Sequence, residues 1–222
     1  MPNPMNPHLA MMTFKHALIQ ALSSAGIPGF KGWSQDPQGK FERYVTTEDF
    51  LEQHAKDYLS SPASHSLDLG CGNQPRNPFR ASISKGADIN QSSDDRVFRS
   101  DLGLGSIPCQ DGEFDFVTAF DFIEHVQRVA IIDGRTRFPF VELMSEIHRI
   151  LKPGGLFFSR TPAYPHKEAF QDPTHTNIIT EDTFAKYFCG DIWAKSYGFN
   201  GCFTLVAQDW CAPSLLTLIR KV

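Results

Sequence analysis

Three stretches of the 222-residue sequence carry side chains whose types and spacing can do chemistry. In Leu67-Asp68-Leu69-Gly70-Cys71-Gly72-Asn73 an apolar run ends in two glycines separated by one residue. Without side chains, Gly70 and Gly72 let the backbone approach a ligand closely and adopt dihedrals closed to other residues. A pyrophosphate-binding turn would place a third glycine where Pro75 stands, which disfavours a dinucleotide. In the second stretch, Asp121, Glu124 and His125 share one helical face if Asp121 opens a helix, being at i, i+3 and i+4. The third, His166 to His175, adds two imidazoles and the carboxylates Glu168 and Asp172. Such groups, brought together, either hold a divalent cation or move a proton. In the second case His175 or His125 is the candidate base, and Asp172 is placed to orient it.

Positioning these groups requires a sheet. Residues 66–69, 86–89 and 114–120 read as strands, the last as a buried central one. A helix over 140–151 carries Phe140, Leu143, Met144, Ile147, Ile150 and Leu151 inward, and Pro153-Gly154-Gly155 stops it. A strand over 156–160 follows, and 203–207 with 215–219 read as an antiparallel pair. Alternation of strands and helices implies a mostly parallel α/β sheet covered on both faces. Upstream, a helix is expected over 13–25, a Gly- and Pro-rich loop over 27–39, and a second helix from Thr46 or Thr47 with Glu48 and Asp49 in its first turn. Residues 1–60 are therefore read as a helical extension, either a lid or plain packing, and 61–222 as the main domain.

Composition narrows the function. With 21 Lys and Arg against 25 Asp and Glu, the net charge is −4 and no basic block stands out, so a long nucleic acid is not expected as a partner. Five scattered cysteines without C-x-x-C spacing argue against a disulfide framework or a structural zinc site. No run approaches the roughly 20 apolar residues that span a bilayer. Residues 1–7 lack a cationic start followed by an apolar stretch, so a cytoplasmic protein is expected, with no membrane partner.

Several blocks, in order from about His65 to Phe188, resemble the class I S-adenosylmethionine (SAM)-dependent methyltransferases. Asp68, Gly70 and Gly72 match the D-x-G-C-G block, which in that family surrounds the methionine part of SAM. Asp88, in Gly86-Ala87-Asp88-Ile89, matches the acidic residue that accepts both ribose hydroxyls, and Asp101-Leu102 the adenine-side block. Ile107-Pro108 and Phe114-Asp115-Phe116-Val117 resemble the family's L-P-F…F-D-x-V segment. Asp121-Phe122-Ile123-Glu124-His125 resembles its D-x-L-E-H, and Arg149 to Gly155 its R-x-L-K-P-G-G. The resemblance implies a doubly wound, Rossmann-like, seven-stranded sheet with an antiparallel C-terminal strand and SAM as cofactor. The expected cofactor-binding residues are Asp68, Gly70, Gly72, Asp88, Asp101, Leu102 and Phe120. The sequence departs from the pattern at Gln74, where a third glycine is usual; with Pro75 and Pro78 following, the usual first helix is expected to be short or broken.

The second and third stretches are also similar to metal-dependent 2′-O-methyltransferases acting on the 3′ end of small RNAs, and the E-x-x-E-H block to ubiquinone-pathway O-methyltransferases. That resemblance implies a cation held by Asp121, Glu124, His125 and His175, with His166 as second choice for the later histidine. Two carboxylates and two imidazoles suit Mg²⁺, Mn²⁺ or Zn²⁺. The metal-free alternative uses Asp121, His125 and His175 as the catalytic set. The 166–175 segment resembles one found in methyltransferases of bacterial glycan pathways. A small hydroxylated molecule is therefore the expected substrate, first a sugar in a glycan or nucleotide-sugar, then a phenol or catechol. Phe120, Tyr164, Phe170 and Trp193 are candidates to stack on its ring. A catalytically silent SAM-binding partner protein is the reading from a different class.

Overall fold

The computed structural model describes residues 33–35, 41–43 and 45–222. The helix expected over 13–25 lies outside them. In the unit spanning residues 1–45, β1 (Trp33–Gln35) pairs antiparallel with β2 (Phe41–Arg43). That pair falls partly in the stretch expected to be a loop; Pro37 and Gly39 are residue types that favour chain reversal between strands.

The second compact unit begins at Thr46, ahead of the boundary expected at 60. The reason is α1 (Thr47–His54), whose Phe50 and Leu51 are buried. The Thr46 hydroxyl caps it by accepting from Asp49 N at 3.0 Å, and Glu48 and Asp49 complement its first turn. Phe50 lies 6.0 Å, ring to ring, from Phe158, so α1 is a packing element of the unit.

Seven strands form its sheet: β3 (His65–Leu69), β4 (Ile83–Asp88), β5 (Val97–Arg99), β6 (Phe114–Phe120), β9 (Leu151–Pro162), β10 (Phe203–Cys211) and β11 (Ser214–Lys221). Their spatial order is β10-β11-β9-β6-β3-β4-β5. Pairings from β9 across to β5 are parallel, and β11 runs antiparallel to both neighbours. This is the doubly wound sheet expected, with its antiparallel C-terminal strand. Six of the seven residues of β6 are buried, as a parallel strand covered on both faces requires.

The chain leaves β3 for β4 and β5, then returns to place β6 on the other side of β3. Where the winding reverses, the carboxyl ends of adjacent strands separate and leave a crevice for a ligand. On the return, α2 (Pro139–Ile150) starts with proline at its first position, buries Leu143, Met144, Ile147 and Ile150, and passes directly into β9. That strand is longer than the expected 156–160.

Between β3 and β4 there is no helix, as Pro75 and Pro78 imply. Phe79 covers the sheet in its place, fully buried and stacked on Phe116 at 4.3 Å. Asn77 closes the loop by accepting from Ala81 N and donating to Ala81 O. The remaining strands and α-helices are the hairpin β7 (Ala130–Ile132) and β8 (Arg135–Arg137), and the short helices α3 (Glu168–Gln171) and α4 (Glu181–Tyr187). Among the described residues no helix is long and apolar enough to cross a membrane.

Asp68, at the heart of the sheet, is 1% exposed and accepts from Arg76 N at 2.8 Å and Thr118 Oγ1 at 2.7 Å. Burial outweighs these bonds and pushes its carboxyl up to about 6. The folded chain therefore favours the protonated form. Its contribution to stability is complete below 3.8 and is lost as pH rises from there through about 6. Asp68→Asn is expected to flatten that part of the dependence of thermal midpoint on pH; a slope equal to that of the unmodified chain would contradict this.

Candidate active site

At the carboxyl ends of β3, β4 and β6 lies a cavity of about 490 Å³, walled in part by Gly70, Asp88, Asp101, Leu102, Asp121 and His125. Gly70 and Gly72 both have positive φ, +65° and +62°, which is why glycine is needed at each. A side chain at Gly70 would collide with the ring of Phe122, another residue of the cavity wall. Asp88 is buried and fixes the turn: its Oδ2 accepts from Gly72 N at 2.8 Å, and Oδ1 from Asn90 N and Nδ2 at 2.9 and 3.1 Å. Asp101 Oδ1 accepts from Gly103 N at 3.1 Å, shaping the loop that bears Leu102. Burial, with Asp68 and Asp88 nearby, pushes the Cys71 thiol up to about 11, which disfavours a thiolate in the turn.

Two of the residues expected at the cofactor do not line this cavity. Asp68 is not on the cavity wall; it holds the turn from beneath, through Arg76 and Thr118. Phe120 is buried between the Arg76 guanidinium, 4.8 Å from its centroid, and Phe158 at 5.4 Å. Phe122 lines the cavity in its stead. Sequence reasoning also missed Asn90, Ile89 and Leu104. The two aliphatic residues are more than half and half exposed in the cavity wall, and that exposure is a structural signal with no counterpart in periodicity.

The second group of candidates converges more tightly. One ligand-capable atom from each of Glu124, His125 and His175 falls within 4.8 Å of the others. Glu124 is 1% exposed; its Oε2 accepts from Thr161 Oγ1 at 2.6 Å, and burial holds its carboxyl above the usual range. Its Oε1 is buried without a partner, and so is His175 Nδ1. The rings of His125 and His175 meet edge to face at 4.8 Å. Backbone bonds dock the loop that carries His175: Thr176 N and Asn177 N both donate to Glu124 O, at 2.9 and 3.0 Å.

Asp121 is not part of this group. It has φ +50°, and only one 3-10 turn, Ile123–His125, follows it, so the helical face expected to unite Asp121 with Glu124 and His125 does not form. Its carboxylate lies 3.9 Å from Arg160 Nη1, at the cavity wall. His166 lies apart from the group as well, buried beside Trp210 with ring centroids 5.0 Å apart.

Two buried polar atoms without partners, Glu124 Oε1 and His175 Nδ1, beside a second imidazole are what a divalent cation would satisfy, so the residues fit one. Without Asp121 the donor set is one carboxylate and two imidazoles, which favours Mn²⁺ or Zn²⁺ over Mg²⁺.

A doubly wound sheet with one antiparallel strand, and a cavity between a glycine turn and an acidic strand end, defines the SAM-dependent methyltransferase class. A family model described as a methyltransferase domain matches residues 41–190, and the chain belongs to that family. No curated protein sequence matches it. Among solved structures, a SAM-dependent methyltransferase from Aquifex aeolicus aligns with TM-score 0.50 and 12% identity over 77% of this chain and 89% of its own. The PH0226 protein from Pyrococcus horikoshii OT3 aligns with TM-score 0.51 and 19% identity over 78% and 88%. The [4+2]-cyclase SpnF aligns with TM-score 0.50 and 15% identity over 86% and 83%. At these identities the likeness is one of fold, and the cyclase shows how widely its chemistry ranges.

Asp88→Ala is expected to weaken binding of S-adenosylhomocysteine (SAH) by roughly 1.5–3 kcal/mol, through loss of the anchor for Gly72 and of the ribose contact that the resemblance implies. Calorimetry on both proteins measures this, and equal affinity would remove Asp88 from the cofactor site.

Proposed function

We propose that the chain is an O-methyltransferase that moves the methyl group of SAM to a hydroxyl of a small molecule, a sugar in a glycan or nucleotide-sugar. The observation that carries this reading is the Glu124, His125 and His175 group, with His125 also on the wall of the cofactor cavity. Methyl transfer from a sulfonium is an in-line displacement with a good leaving group, so the protein must align the acceptor and help remove its proton. A hydroxyl needs that help because its pKa is high. Glu124, His125 and His175 would hold a divalent cation, Mn²⁺ by their donor set. When bound, such an ion lowers the pKa of a coordinated hydroxyl. Asp121 and Phe122, between the glycine turn and this group, line the space in which acceptor and methyl group meet.

Tyr164 and Phe170 support a sugar acceptor. Both are more than half exposed and pair edge to face at 6.4 Å, in the segment between β9 and His175. Exposed aromatic faces of this kind suit the apolar side of a sugar ring. A second reading, a phenol or catechol acceptor, is favoured by a separate cavity of about 280 Å³ walled by aromatic residues that include Phe138, Tyr187 and Tyr197. The intact cofactor turn and the unpaired acceptors argue against a catalytically silent binding partner. The cytoplasm, where its free thiols stay reduced, suits either acceptor.

Calorimetric titration of Mn²⁺ into chelator-stripped, SAH-saturated protein is expected to show one site, abolished in Glu124→Ala and His175→Ala. His175→Ala should also end turnover on a hydroxylated acceptor while SAH affinity stays within about twofold. Absence of Mn²⁺ binding with turnover intact in chelator would instead assign proton removal to a histidine and widen the acceptors to single hydroxyls.

A further inference from the structure

We propose that Asp172 and Thr174 are positioning residues that fix the ring state of His125. The inference rests on the reading of Glu124, His125 and His175 as the hydroxyl-activating group, and it adds two residues which that reading does not contain.

The argument starts from a proton count. Thr174 Oγ1 lies 2.6 Å from Asp172 Oδ1 and 2.9 Å from His125 Nδ1. A hydroxyl has one proton to give. An ionised carboxylate only accepts, so the short contact to Asp172 takes that proton. The lone pair left on Thr174 Oγ1 must then accept from His125 Nδ1, which therefore carries hydrogen. In the neutral ring this leaves Nε2 with a free electron pair, for a cation or for a substrate proton. A hydrogen bond at one imidazole nitrogen commonly fixes the role of the other in this way.

The loop geometry makes the relay rigid. Asp172 Oδ1 also accepts from Thr174 N at 2.8 Å, and Asp172 O accepts from His175 N at 3.1 Å, so residues 172–175 form one tight turn. Asp172 Oδ2 faces His175 Nε2 at 4.0 Å, while His175 Nδ1 is the buried nitrogen without a partner. His125 is thus tied to Asp172 through the hydroxyl, whereas the 4.0 Å to His175 Nε2 is too long for a hydrogen bond. The anchors of the loop are separate from this relay. Asn177 Nδ2 donates to Ile123 O at 3.1 Å, and Arg128 Nε donates to Asn177 Oδ1 at 2.8 Å. A change at Thr174 leaves those bonds in place.

The test reads the tautomer directly. Long-range proton–nitrogen spectra of ¹⁵N-histidine protein, with His125 assigned from His125→Asn, are expected to show the Nδ1–H ring in the parent chain and in Thr174→Ser. In Thr174→Val the Nδ1–H fraction should fall below about half, because the ring loses its acceptor. Mn²⁺ affinity in the SAH-saturated protein should fall about 10–100-fold in Thr174→Val and recover in Thr174→Ser. An Nε2–H ring in the parent chain, or one unchanged by Thr174→Val, overturns the relay even where Mn²⁺ binds normally. A tautomer that moves as expected in a protein that binds no Mn²⁺ upholds the relay and refutes the cation instead.

Discussion

Glu124 is an acid held in a place that burial makes costly. One of its oxygens is anchored by Thr161, the other has no partner, and burial holds the carboxyl above its usual range. Its backbone oxygen receives two N–H groups from the His175 loop. A single residue thereby joins the end of β6, the strand β9 and the loop 172–178. An apolar side chain of similar size would be cheaper to bury. An incompletely paired buried carboxyl is a common mark of a ligand site, and His125 and His175 are arranged around it.

The cofactor half of the cleft depends on a similar economy. Helices usually brace the turn after the first sheet strand, yet here Asp68, Asp88 and Asn77 do so by accepting backbone N–H groups, while Phe79 seals the sheet. Asp88 therefore has two duties, one to the Gly72 backbone and one to the cavity. Asp68, expected at the cofactor, is absent from the cavity wall and braces the turn through Arg76 and Thr118. The two halves meet at Asp121 and Phe122, where β6 ends and the chain turns left-handed.

Much of this was legible in the sequence. The apolar run 114–120 gave its strand to the residue, and the ordered blocks from Asp68 to Gly155 carried the fold class and the cofactor. His125 and His175, distant in sequence, were taken together from residue type and resemblance, and the fold puts their rings 4.8 Å apart. Asp121 was misplaced because helical spacing was assumed across a position whose φ is +50°, a conformation that Asp tolerates better than most residues but that no helix continues through. Phe120 and Phe122 show the same limit: which aromatic faces the cavity depends on how the strand ends. The β7–β8 hairpin was missed although Asp133-Gly134, both left-handed, signals one. Thr174 had no signal of its own, since a hydroxyl relay to His125 exists only once the loop is docked.

The central claim is that one cleft holds SAM over the glycine turn and a cation at Glu124, His125 and His175. A crystal structure with SAH and Mn²⁺, phased to show the manganese by anomalous scattering, tests it most directly. The account predicts SAH against Gly70 and Asp88 and one anomalous peak at Glu124, His125 and His175. SAH in that cavity with no peak at the three residues, at saturating Mn²⁺, would contradict the cation; SAH bound elsewhere would contradict the account of the cleft itself.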